Sequence, residues 1–481
     1  MSITIPKDFK FLGDPPYKHQ ITAFQFGIQN HYRGLLLDLG LGKTKTSIDI
    51  ARYRIQYSGV KRVLVVAPTG MLYRWQEEIK RFSEYTSVIL HGTRSERLDR
   101  IKRKNKYTFF IINYEALKLF KKQLLSLKFD MIILDESSRY LKTPTSGRTE
   151  AAVAIADRAR YKVLLTATLI PNSPLNVWPQ FRVLDGGITF FNNYYRFKNY
   201  FFKTIEIGGW KKWILSKDRI KEFNSRIYSR CIKITKKEAV TLPREVYATI
   251  SVDLSTSEMQ AYKDLKEKIL AELVTKDGSG VVDVTNTLTK LIRLQQYTAG
   301  FIKTIQGKEK ELKAPPKLLA TIDEIGTIVE ANESVIVWCR FRKSIKMIKA
   351  ALDKLKIPVI TMSGEDTNAK KKYQKWREYQ TNKDIHVFIG QIEAGGIGIE
   401  LFKEDGDPKK FQHSITYEGV WNPDAHVQAG GRSHRQGQKS MVRHLTIVVK
   451  DTIDEYMHKA RRSKQDIADL LMKQGVRKIL E

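Results

Sequence analysis

Cysteine is nearly missing from this chain: among 481 residues only Cys231 and Cys339 occur. Two thiols cannot build a disulfide framework or a four-thiolate zinc site, so both are expected as free core or near-core thiols in a reducing compartment. Long apolar runs are missing too. The longest, such as residues 131–134 and 335–338, are far too short to span a bilayer. The N-terminal string MSITIPKDFKFLGDPPYKHQ has no apolar stretch with a basic flank, which argues against a secretory leader. No fixed-period repeat and no long low-complexity tract occurs. Acidic residues are scarce against basic ones: 52 Asp and Glu face 84 Lys and Arg, a formal net charge of +32. Such a surplus favours a polyanionic partner, nucleic acid first and an anionic membrane surface second, with a merely solvated basic surface as the bland alternative. What is present is core material. Hydrophobic residues make up 42% and aromatics 10%, which excludes disorder for the chain as a whole. At roughly 150 residues per domain, the length predicts two to three domains of a soluble, intracellular protein.

Short β-branched apolar runs alternate with helical stretches. In the first half they are residues 34–37, 63–67, 109–112, 131–134 and 162–165, and between them residues 71–82 repeat apolar side chains every three or four positions. Continuously apolar strands separated by helices predict a parallel sheet covered on both faces, hence an α/β domain of the doubly wound kind. The pattern resumes at 335–338, 358–362, 386–389, 413–417 and 444–449. We expect a first domain over 1–235 with a small helical insertion at about 186–230. A linker and helical protrusion follow over 236–315. A second α/β domain spans 316–481 and ends in a helix that places Ile467, Leu470 and Leu471 on one face. Residues 217–232 and 256–300 read as helical, and the lysine-rich 303–317, ending in Pro315-Pro316, reads as a hinge.

The most informative segment is LLLDLGLGKTKT, residues 35–46. An apolar strand runs into Gly40, Leu41, Gly42, Lys43 and Thr44, and a helix follows through Lys45. Glycines let backbone N–H groups turn onto a phosphate, and the helix N-terminus adds partial positive charge. Lys43 would neutralise β- and γ-phosphates, and the Thr44 hydroxyl would complete a Mg²⁺ shell. The usual phosphate-loop spacing has a further glycine where Leu37 stands, so the full pattern fails and an ordinary glycine-rich turn is the alternative. A second signal is FDMIILDESSRY, an apolar strand ending in Asp135-Glu136. Carboxylates at the tip of a parallel strand face the ligand crevice. Asp135 would hold Mg²⁺ through water and Glu136 would polarise the attacking water, with a solvated acidic pair as the alternative.

The series of motifs resembles the superfamily 2 nucleic-acid motors, and within them the Swi/Snf-type ATPases of the compact phage, bacterial or HARP-like kind. PYKHQ is similar to the upstream glutamine motif, VLVVAPTGMLYRWQEEIKRF and FFIINYEAL to DNA-contact motifs, and LDESSRYLKTPTSGRT to the acidic motif with trailing Lys and Arg. LLTATLIPN resembles the segment that couples the nucleotide site to DNA. TKKEAVTLPRE, SVIVWCRFRKSIKMI, GQIEAGGIGIEL and WNPDAHVQAGGRSHRQGQ resemble the linker and second-domain motifs.

The resemblance implies two RecA-like domains with ATP in the cleft between them and helical insertions. It gives Gln20 to adenine, Gly396 and Gln428 to the nucleotide, and Arg432 and Arg435 to the transferring phosphoryl group. DNA would be met by Pro68, Thr69, Arg74, Asn113, Tyr114, Lys142 and Arg148, then by Arg340, Gly364, Gln391, Gly395 and, at the groove edge, Trp421. Trp75 is expected in the core. Ser138 stands where the family has His, Ala167 where it often has Gly, and Leu37 where an acidic residue is common; Leu169-Ile170-Pro171-Asn172 replaces the commoner Pro-Ile-Gln-Asn. The function implied is an ATP-dependent translocase on double-stranded DNA, for which a monomer suffices. It would work in the cytoplasm of a bacterial or phage-infected cell, or in a eukaryotic nucleus. Alternatives are a strand-separating or annealing helicase, the motor subunit of a DNA-processing or restriction complex, and a non-catalytic DNA-binding scaffold.

Overall fold

A computed structural model describes residues 4–170, 173–207, 210–239, 244–274, 284–303, 308–366, 368–392, 401–404, 406–420, 429–431 and 438–462. The chain divides into two compact units, Met1–Thr241 and Leu242–Glu481.

The first unit is built on strands β1 (Tyr32–Leu37), β2 (Val63–Ala67), β3 (Ser87–Ile89), β4 (Phe109–Asn113), β5 (Met131–Asp135) and β6 (Tyr161–Thr166), with β9 (Cys231–Ile234) at one edge. They form a seven-stranded sheet in the order β3-β4-β2-β5-β6-β1-β9. Every pairing is parallel. All residues of β2, β4 and β5 are buried, as a sheet covered on both faces requires. Alternate side chains enter two cores. Leu64, Val66, Phe110, Ile112, Ile132 and Leu134 enter one, and Val63, Val65, Phe109, Ile111, Met131 and Ile133 the other. The helices are α1 (Lys18–Ile28), α2 (Lys43–Ser58), α3 (Leu72–Phe82), α4 (Arg94–Lys102), α5 (Tyr114–Leu119), α6 (Lys121–Ser126), α7 (Ser137–Tyr140), α8 (Gly147–Ala156), α9 (Val177–Asp185), α10 (Tyr194–Phe201), α11 (Ile220–Arg230) and α12 (Lys236–Ala239).

Two expectations are corrected here. The insertion at 186–230 is not purely helical: an antiparallel hairpin, β7 (Phe202–Ile207) and β8 (Trp210–Leu215), lies between α10 and α11. Phe190, Phe197, Phe201, Phe202 and Phe223 pack edge-to-face or tilted beneath it and anchor it to the core. The helix expected over 217–232 stops at Arg230, because Cys231–Ile234 pairs with β1.

The second unit begins earlier than the sequence pattern suggests. Strand β10 (Glu245–Val252), inside the expected linker, pairs in parallel with β17 (Met441–Val449). With β13 (Ser334–Cys339), β14 (Val359–Met362), β15 (Val387–Gln391) and β16 (Phe411–Thr416) it makes a six-stranded sheet, β10-β17-β16-β13-β15-β14, parallel throughout. The expected hinge carries one strand of a short hairpin, β11 (Phe301–Lys303) with β12 (Glu309–Glu311). Helices α13 (Thr256–Val274), α14 (Val284–Thr298), α15 (Pro316–Glu330), α16 (Arg342–Lys354), α17 (Ala369–Thr381) and α18 (Ile453–Arg462) complete the unit. The expected C-terminal helix face at Ile467, Leu470 and Leu471 lies outside the described residues. Among the described residues no helix is long and apolar enough to cross a membrane.

Candidate nucleotide site and DNA-facing residues

The loop from β1 to α2 has the conformation its glycines allow. Gly40 and Gly42 have φ of +87° and +75°, in the left-handed region where a side chain is strained. Gly42 caps the 16-residue helix α2, whose first N–H groups face the loop. Lys43 follows directly, and its Nζ donates to the carbonyls of Leu37 at 2.6 Å and Asp38 at 3.2 Å. Helix α1 braces the loop from the other side. Gln20 accepts from the Tyr17 N–H at 3.0 Å and donates to the Leu41 carbonyl at 3.5 Å, and His19 Nε2 meets the same carbonyl at 3.1 Å. Both side chains are buried. A Cβ at Gly42 would collide with the Gln20 amide. Gln20, expected from the resemblance to meet adenine, packs against the loop, and His19 is a second brace that the sequence did not single out.

Two parallel strands away in the same sheet, β5 ends at Asp135. Its carboxylate is buried; Oδ2 accepts from Trp75 Nε1 at 3.0 Å and Oδ1 from the Glu136 N–H at 3.0 Å. Burial, and next the Glu136 charge, push its pKa up to about 6, against the Trp75 hydrogen bond and the Lys43 charge. Lys43 and Asp135 thus share one electrostatic field. Glu136, half-buried, has φ +51°, a strained value for a residue with a side chain. A hydroxyl from Thr44 and a carboxylate from Asp135 are hard oxygen donors. They fit Mg²⁺, which keeps several waters and phosphate oxygens in its shell rather than a full set of protein ligands.

Several expected side chains have other partners. Lys45 turns to Asp49 at 2.9 Å and lies against the rings of Phe82 and Phe11, so only its backbone N–H remains for the loop. Tyr114 is fully buried, stacked on Tyr140, with its hydroxyl donating to the Asp135 backbone carbonyl at 2.8 Å; it has no surface with which to meet DNA. Arg74 is paired with Glu78 at 2.5 Å with 17% of its side chain exposed. Pro68 is buried and Thr69 half-buried at the end of β2, and Asn113 Nδ2 donates to Glu115 at 2.9 Å. Lys142 and Arg148 are half-buried, and the Arg148 guanidinium lies 3.7 Å from Glu115.

In the second unit, three expected DNA contacts are joined to one another. The Gly364 N–H donates to Gln391 Oε1 at 2.9 Å, and Gln391 Nε2 donates to the Arg340 carbonyl at 3.1 Å. Arg340 Nη1 reaches Gln295 at 2.8 Å. Beneath them lies a group that the sequence reading missed. Glu418, fully buried, accepts from the Arg340 N–H at 2.7 Å, from the Phe341 N–H and from the Ser344 hydroxyl. Its carboxylate thereby supplies the N-terminal cap of α16 that no residue of α16 provides, and burial pushes its pKa up to about 7. Its signal was its place three residues before the WNP string. Gly395, Gly396, Trp421, Gln428, Arg432 and Arg435 lie outside the described residues.

A parallel sheet with a glycine-turned loop after one strand and an acidic pair at the tip of another defines a nucleotide-binding α/β protein of RecA-like kind. The SNF2-related domain family matches residues 17–299, more than half of the chain, and the chain belongs to that family. An uncharacterized ATP-dependent helicase of Mycoplasma genitalium is 24% identical over 442 residues, 91% of this chain and 40% of the relative. A SWI/SNF-related matrix-associated actin-dependent regulator of chromatin subfamily A-like protein 1 of Xenopus laevis is 25% identical over 470 residues, 94% of this chain and 43% of the relative. The chain therefore spans less than half the length of these curated relatives. The fold is similar to the Hef helicase domain of Pyrococcus furiosus, with a TM-score of 0.53 at 15% identity over 93% of this chain and 98% of that one.

Proposed function

We propose that this chain is the ATP-hydrolysing motor core of a double-stranded DNA translocase. The observation that carries the reading is that Lys43, on the glycine-turned loop after β1, and the Asp135-Glu136 tip of β5 follow the C-terminal ends of parallel strands of one sheet, in a chain of the SNF2-related family. Loop N–H groups and Lys43 bind the β- and γ-phosphates of ATP. Thr44 and Asp135 would hold Mg²⁺, which neutralises developing phosphate charge. Glu136 orients the attacking water and draws its proton. Arg432 and Arg435, by the resemblance of their segment to the family's final motif, would stabilise charge on the transferring phosphoryl group, an effect of about 10³–10⁵ in rate for such arginines. Backbone contacts from Arg148, Lys142, Arg340 and the Gly364–Gln391 pair position the duplex without reading its sequence.

The test is ATP turnover without nucleic acid and with duplex DNA, single-stranded DNA and RNA, for wild type and Lys43→Ala. Duplex should stimulate most, and Lys43→Ala should lower turnover about 10²–10³-fold, the scale of losing one charge-stabilising donor. Absence of duplex stimulation sinks the translocase; unchanged hydrolysis in Lys43→Ala sinks the site. Displacement of a triplex strand without opening of a forked duplex separates translocation from strand separation.

A further inference from the structure

Gln180 has none of its surface exposed, on a helix whose other buried residues, apart from Asp185 at its C-terminal end, are apolar: Val177, Trp178, Pro179, Phe181, Val183 and Leu184. A primary amide in that position is costly unless its polar atoms are bonded. They are. Oε1 accepts from the Ser137 hydroxyl at 3.0 Å, and Nε2 donates to the carbonyls of Leu169 at 3.0 Å and Asn176 at 2.9 Å. Asn176 stands four residues earlier, on the same side of the chain entering α9. Its Nδ2 donates to the Lys142 carbonyl at 3.1 Å and its Oδ1 accepts from the Ser173 N–H at 3.2 Å. A second bridge runs alongside. Ser138 and Thr166 hydroxyl oxygens are 2.8 Å apart, and Thr166 gives its single proton to the Thr168 carbonyl at 3.0 Å, so Ser138 is the donor between them.

These bonds join three strips of chain in one unit. Ser137 and Ser138 directly follow Glu136, whose left-handed backbone leaves the aim of its carboxylate to whatever holds the residues after it. Leu169 and Thr168 belong to the segment after β6. Lys142 belongs to the strip expected to face DNA. We infer that Gln180 and Asn176 are positioning residues: together they form a relay through which contact with duplex at the 142 strip sets the aim of Glu136. The inference rests on the proposed motor function and adds two residues that none of its motifs contain. It also gives Ser137 a role, since its hydroxyl donates to Gln180, while Ser138, which stands where the family has His, is bonded to Thr166 alongside.

The experiment measures ATP turnover of the full chain with and without duplex DNA, with thermal melting and duplex affinity in parallel. The proteins are wild type, Gln180→Leu, Asn176→Ala and the double variant Ser137→Ala/Gln180→Leu. The ratio of stimulated to unstimulated turnover should fall about five- to thirtyfold in Gln180→Leu and in Asn176→Ala, with duplex Kd unchanged. The double variant should be no worse than Gln180→Leu, because Ser137 and Gln180 act as a pair. A merely structural role would lower both rates together and keep the ratio. A preserved ratio in folded Gln180→Leu overturns the relay; if that variant does not fold, a preserved ratio in Asn176→Ala, whose side chain is half-buried, does the same. A wild type that ignores duplex defeats the motor reading, and the relay with it, before any variant is compared.

Discussion

The ring of Tyr114 lies face to face with that of Tyr140, centroids 4.4 Å apart, and its hydroxyl donates to the backbone carbonyl of the residue that ends β5. That hydrogen bond holds the strand tip from behind, while Trp75 holds the Asp135 side chain from the flank. Both aromatic residues sit in segments that resemble DNA-contact motifs, yet both point inward to the acidic pair. A motif marks the place where nucleic acid and nucleotide are read by neighbouring residues; burial decides which neighbour does which. Tyr114→Phe keeps the ring and removes the donor, leaving a buried carbonyl short of a partner. It should cost about 1–2 kcal/mol of stability in chemical denaturation and leave duplex affinity unchanged. Weakened duplex binding with full stability would return Tyr114 to the DNA surface.

Helices α1 and α2 and the loop between β1 and α2 work as one element. The left-handed Gly42 ends the loop, and the Gln20 amide fills the space a side chain there would need. Gly42→Ala therefore strains the backbone by about 1–2 kcal/mol and pushes Gln20 off the Leu41 carbonyl. The expected outcome is a lower melting temperature together with a raised KM for ATP. Adding Gln20→Ala should then cost little more KM, since the same bond is already broken; an additive loss would separate the two residues. This element was legible in the sequence because its signals are local: two glycines, a lysine and an apolar strand before them. The fully buried strands were legible for the same reason. Strand β10 was not, because Glu245–Val252 alternates half-buried and exposed residues and reads as linker. The β7–β8 hairpin was hidden by its aromatic neighbours. The bond of Gln180 to Ser137 joins residues 43 positions apart and that of Glu418 to the Arg340 N–H residues 78 apart, and no spacing rule reports such contacts.

At the scale of the whole molecule, the +32 charge bounds how DNA would be held but does not say which cations hold it. Many basic side chains already have acidic partners: Arg74 with Glu78, Arg52 with Glu84, Lys45 with Asp49, Lys317 with Asp454. Such a cation brings little net charge to a phosphate, because its field is cancelled nearby. Arg148 differs, since its distance to Glu115 is 3.7 Å and the two side chains are 38% and 52% exposed, which makes the pair weak and easily exchanged for phosphate. Duplex affinity should therefore fall steeply with salt, by about 10³–10⁵ between 50 and 200 mM for six to ten phosphate contacts. Arg148→Ala should reduce the slope of log Kd against log salt by about one. Arg74→Ala should leave the slope in place and instead lower stability, because the Glu78 carboxylate, buried on α3, loses its ion pair with Arg74. Fluorescence anisotropy on a fixed duplex across a salt series reads both slopes. A flat salt dependence in wild type would mean that the surplus charge serves something other than DNA. Equal slopes for wild type and Arg148→Ala would place the backbone contacts elsewhere on the first unit.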